Sequence, residues 1–181
     1  MAVKSIVKVS ELEGAKRLDA EYYQSKYFNT LNVLQHLAAV PLASMVKPAK
    51  RRFKPVADQP FQYIEISEVN TSTGDMDPIS ILGKEAPDRA QWVIRKDDVI
   101  ISTVRPIRNA VAIVTDQEDG FVCSSGFAVV KAKEIAPEFL FAFLKTKPII
   151  ELLDRKTAAT MYPAVSWQDV LSLPTLSQTE T

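Results

Sequence analysis

Apolar, β-branched positions crowd between Asp97 and Lys133, where three runs stand out: Val99 to Val104, Ala110 to Val114 and Phe127 to Val130. Each is four to six residues long and bounded by turn-formers such as Pro106, Asn109, Asp116 to Gly120 and Ser124 to Gly126. Those are strand lengths with strand punctuation, so the pattern predicts a small sheet. Between the first two runs lies Arg-Pro-x-Arg-Asn, residues 105–109. Proline fixes φ and has no N–H for a ladder, so this segment reads as a stiff basic connection at a sheet end.

Weaker signals flank that centre. Residues 1–9 alternate well enough for a strand, 61–69 carry Tyr63, Ile64 and Ile66, and 79–82 and 92–94 match further short strands. Helical spacing of Tyr23, Tyr27, Leu31, Leu34 and Ala38 predicts a helix over 17–39, ended by Pro41. Its aromatics, Tyr22, Tyr23, Tyr27 and Phe28, read as core rather than as a platform for stacked bases. Beyond Lys133, Pro137 suits a first helical turn, Pro148 opens a second helix, and Ser166 can cap a turn begun by Trp167. The pattern is α+β: a mixed, mostly antiparallel sheet flanked by helices, one domain over residues 1–172 with a polar tail over 173–181.

A chain of 181 residues with 46% hydrophobic content can build one core. Twenty-two basic residues balance twenty-two acidic ones, so only the distribution of charge can point to a partner. Cys123 is the sole cysteine and His36 the sole histidine, which excludes an internal disulfide and a zinc site of Cys and His. With no Gly-rich phosphate loop, nucleotide hydrolysis is disfavoured, and no cofactor is expected. The start lacks the apolar core of a signal peptide and no run reaches spanning length, so a cytoplasmic protein is expected.

Cations do cluster locally. Lys47, Lys50, Arg51, Arg52 and Lys54 fall within 46–54 with no acid among them, beside Pro48 and Pro55. This predicts an exposed, mobile basic loop, suited to phosphates or merely solvated. Arg105 and Arg108 offer guanidinium forks for phosphate or base edges; alternatively they pair with the acidic run Asp116, Glu118 and Asp119. Asp88 with Asp154-Arg155-Lys156 matches the residue types of a metal-dependent nuclease, although Asp154 falls at a helix end rather than on a strand. A protein-interaction module with no nucleic-acid role is a further alternative.

The order of pieces resembles the target recognition domain of a type I restriction-modification specificity (S) subunit. The resembling residues are Arg17 to Tyr23, Tyr63 to Ile66, Asp98 to Thr103 with Arg105-Pro106, Ser124 to Phe127, Phe139 to Leu144, and Thr160 to Ser166. They span roughly 17–176. The resemblance implies a non-catalytic module that reads one half of a split DNA target, while separate methyltransferase and motor-endonuclease subunits act. It also raises Ser102, Thr103, Asn109, Lys156, Thr157, Thr160, Met161 and Tyr162 to candidate double-stranded DNA contacts beside the two basic groups. That family usually joins two such domains by long helices. This sequence matches one, so a monomer or weak dimer is expected in isolation.

Overall fold

The structure, a computed structural model, describes residues 6, 8, 20–157 and 162–176. Its strands are β1 (Val40–Pro41), β2 (Val46–Pro48), β3 (Pro60–Ile64), β4 (Ile79–Leu82), β5 (Ala90–Val93), β6 (Asp98–Ser102), β7 (Val111–Ile113), β8 (Val122–Ser124), β9 (Phe127–Ala132) and β10 (Pro174–Thr175). The helices are α1 (Ser25–His36), α2 (Leu42–Met45), α3 (Pro137–Leu144), α4 (Lys147–Asp154) and α5 (Trp167–Leu171). The α+β class and the mixed, mostly antiparallel pairing stand, but the described strands form two four-stranded sheets and a two-stranded pair, β1-β10, where one sheet was expected.

The first sheet, in the order β2-β9-β6-β7, is wholly antiparallel and contains all three expected central runs. Its central strands β6 and β9 are buried through most of their length because both faces are covered there. On one face Val99, Ile101, Val111, Ala128 and Val130 pack against α1, α3 and α4. On the other, Ile100, Ala112, Phe127 and Val129 meet Ile64, Ile94 and Cys123 of the second sheet region. That sheet runs β4-β3-β8-β5, with β3 and β8 parallel. Its outer face carries Tyr63, Ala90 and Val122, covered by Phe53 and Phe61. The buried Cys123 on β8 has its thiol pushed up by desolvation, so it stays protonated.

Helix α1 is shorter than the 17–39 expected. It stops where Ala38 turns left-handed (φ 53) and the Ala39 N–H reaches back to Leu34 O at 3.0 Å. Residues 17–19 lie outside the described residues, as does most of the expected strand over 1–9. Tyr22, Tyr23 and Tyr27 are buried, as a core role requires. The Arg155 guanidinium lies 3.9 Å from the Tyr22 ring centroid and 5.6 Å from those of Tyr27 and Phe28, and Arg155 Nε donates to Tyr22 O at 2.7 Å. Pro137 and Pro148 open their helices as expected.

Packing continues past residue 172, where the tail was expected to begin. Leu173 and Thr175 are fully buried, and Pro174–Thr175 pairs with Val40–Pro41. Residues 177–181 lie outside the described residues. Among the described residues no helix is long and apolar enough to cross a membrane.

Candidate nucleic-acid interface

Strand β6 ends in residues whose polar groups are spent internally. Ser102 Oγ donates to Val104 O at 2.7 Å, while Thr103 N–H and Oγ1 both donate to Gly126 O at 2.8 and 2.9 Å. Both side chains are buried, so the expected surface role for Ser102 and Thr103 gives way to an anchoring one. The chain then enters the arginine turn. Arg105 is left-handed (φ 48), residues 106–108 form one 3₁₀ turn opened by buried Pro106, and Asn109 is left-handed again (φ 61).

Every side of this turn is fastened. Arg105 N–H donates to Pro163 O at 2.8 Å, and Arg108 N–H to Arg105 O at 3.0 Å. Asn109 Nδ2 donates to Lys145 O at 2.9 Å, so Asn109, too, is used as a strut rather than offered to solvent. The Asp154 carboxylate, at the end of α4, takes the Ile107 N–H; burial raises its pKa and that hydrogen bond opposes the shift. This use of Asp154 is structural, and it differs from the metal-holding role of the nuclease alternative.

The arginines themselves are left to solvent. Arg105 is half-buried and Arg108 exposed, and among the described residues neither forms an ion pair. The acidic run has other partners: Asp116 binds Lys96 at 2.7 Å, Asp119 binds Arg95 at 3.2 Å, and Glu118 Oε2 accepts from Thr115 Oγ1 at 2.6 Å. The pairing that would have made the arginine turn an ordinary solvated hairpin is therefore absent among the described residues. Arg105 and Arg108 line a groove of about 520 Å³ together with Arg89, Glu65 and Tyr162, the last 75% exposed.

The basic stretch over 46–54 is not the free loop expected. Val46–Pro48 is an edge strand of the first sheet, and Arg52 then bridges Trp92 at the edge of the second, with Phe53 N–H on Gln91 O at 2.8 Å. The stretch is thus a strap across both sheets, held by pairings 38 or more residues distant in sequence that local pattern cannot reveal. Arg51 turns inward, donating from Nε to Val93 O at 3.2 Å and pairing with the fully buried Asp98. Lys47, Lys50, Arg52 and Lys54 remain exposed.

Two of these cations rest on tryptophans. Lys50 Nζ sits 4.9 Å from the Trp167 ring centroid and the Arg52 guanidinium 5.6 Å from that of Trp92, while the two indoles meet edge to face at 5.8 Å. The segment after Tyr162 links strap and turn. Pro163 O takes the Arg105 N–H, Val165 N–H donates to Thr103 O at 2.9 Å, and Trp167 opens α5 under Lys50. Of the remaining candidates, Lys156 lies 3.9 Å from Asp169, Thr157 Oγ1 donates to Asp154 O at 2.8 Å, and Thr160 and Met161 lie outside the described residues.

Arg89 and Glu65 were not singled out by sequence. Arg89 stood in a polar connection and Glu65 in a strand-like run, and only the two-sheet packing brings them to the arginine turn.

No family model matches the chain. Over 95 residues, half of this chain, it is 30% identical to the type I restriction enzyme HindI specificity subunit of Haemophilus influenzae, and spans 20% of that protein. A solved chain from work on complex assembly and conformational transition of the type I R-M system superposes with a TM-score of 0.68 at 36% identity, over 77% of this chain and 38% of that one. The HsdS subunit from Thermoanaerobacter tengcongensis gives a TM-score of 0.67 at 37% identity, over 76% of this chain and 37% of its own. These likenesses support an α+β fold shared with parts of type I restriction-modification proteins. By sequence and by fold the chain is similar to part of type I restriction-modification specificity subunits. It spans about a fifth of the curated relative and under two fifths of the solved chains.

Proposed function

We propose that this chain is a sequence-reading DNA-binding module of a type I restriction-modification system, which takes one half of a split target and directs a separate methyltransferase and a separate motor-endonuclease to it. It is not itself an enzyme. The observation that carries this reading is the arginine turn: two guanidinium groups on a backbone fastened at both ends, without carboxylate partners among the described residues, at the rim of a groove with a third arginine. Positioned forks read base edges, and the cations of the strap hold phosphates on either strand.

Binding to duplex DNA, followed by fluorescence anisotropy at several salt concentrations, tests the proposal. Affinity falls steeply with salt, with a log–log slope of about −0.9 for each phosphate neutralised. Affinity absent at low salt, or indifferent to salt, would leave a protein-interaction module as the better reading. The same chain is expected to sediment as a monomer or weak dimer.

A further inference from the structure

Three arginines line the groove beside a single carboxylate, Glu65, among the described lining residues. Glu65 follows β3 directly and is half-buried. Its Oε1 accepts from the Tyr63 hydroxyl at 3.2 Å, and Tyr63 is itself 1% exposed, with burial raising its phenol to about 12. The carboxylate is therefore positioned by a fixed donor. No described donor is bonded to Oε2, and none of the groove's arginines forms an ion pair with Glu65. It neither neutralises those arginines nor is neutralised by them.

An ionised carboxylate only accepts hydrogen bonds. Against duplex DNA it repels phosphates, and deoxyribose within the strand offers it no donor. The donors a duplex presents are exocyclic amines, and in the major groove these are cytosine N4 and adenine N6. Resting on the DNA-reading function proposed above, we infer that Glu65 is a specificity-determining residue that accepts a hydrogen bond from the amine of a cytosine or adenine in the half-site. The arginines around it take guanine edges and phosphates. The groove thus pairs donors and an acceptor against a base edge, which a purely phosphate-binding channel has no use for.

Binding selection on randomised duplex, with the full chain, supplies the test. The unaltered protein enriches cytosine or adenine at one position of its half-site, and Glu65→Ala loses that preference by about tenfold while other positions keep theirs. Glu65→Gln keeps the size and an acceptor for Tyr63; it turns a cytosine preference into one for adenine and leaves an adenine preference in place. A second measurement needs no stable variant. The unaltered protein loses about tenfold in affinity when that base is replaced by an analogue lacking the amine, 2-pyrimidinone for cytosine or purine for adenine. An unchanged profile for Glu65→Ala, an equal gain on all sequences, or indifference to the missing amine overturns the inference and leaves the DNA-reading function standing. Absence of enrichment by the unaltered protein sinks both.

Discussion

At the scale of single residues, the strongest constraint is the charge buried at Asp98. Its Oδ2 takes the Arg51 guanidinium and the Arg95 N–H at 2.8 Å, while Oδ1 is buried without a described partner. Desolvation raises its pKa, opposed first by the Arg95 N–H and then by the Arg51 charge. Removing the guanidinium leaves a buried carboxylate poorly compensated, so Arg51→Ala is expected to lower stability by about 3 kcal/mol in urea unfolding. A carboxyl raised in the folded state binds its proton more tightly there than when unfolded. Its contribution is therefore full below about pH 4 and is lost as pH rises through the raised value. Asp98→Asn removes this slope, and an unchanged pH profile in that variant would assign the acid dependence to other groups. The arginine turn permits a separate test. Because Arg105 is at φ 48, Arg105→Gly removes the fork while suiting the backbone, so the melting temperature holds. Affinity for the cognate half-site falls by about 1–3 kcal/mol and binding to unrelated duplex changes far less.

Among the elements, α5 is short, at five residues, and depends on its start. Ser166 Oγ accepts from Asp169 N–H at 3.2 Å, and Asp169 Oδ2 accepts in return from Ser166 N–H at 2.8 Å. Ser166→Ala should cost about 1 kcal/mol. It should also alter near-ultraviolet dichroism, since Trp167 stands at the first position of α5 against Trp92. This cap was legible in the sequence, as were β6, β7, β9, α3 and α4, because each follows from local period and punctuation. Strand β8 was not: three buried residues, Val122 to Ser124, are too short to show alternation, and their place between β3 and β5 is set by packing. The strap escaped for a related reason. A run of cations next to prolines has the composition of a free loop, and only its cross-sheet partners, Trp92, Val93 and Val129, make it an edge. The candidate site divided along the same line, with Arg105 and Arg108 readable from their spacing and Glu65 and Arg89 visible only once two sheets are stacked.

For the whole molecule, a net charge of zero conceals a local field. Replacing Lys50, Arg52 and Lys54 together with alanine, and sparing Arg51 for its pairing with Asp98, should weaken all DNA sequences alike. The salt slope should flatten by about 0.9 for each phosphate that is no longer neutralised. An unaltered slope would remove the strap from the interface. The pairing of β1 with β10 has a consequence of a mechanical kind. Leu42 N–H meets Leu173 O at 2.8 Å beside that pair, so residues 40 and 175, which bracket both sheets, lie side by side. Tension drawn between those two points is borne by a short antiparallel clasp that peels one bond at a time. The stacked sheets and the groove hang outside the line of force, so a pull between those two points leaves the groove in shape until the clasp has opened.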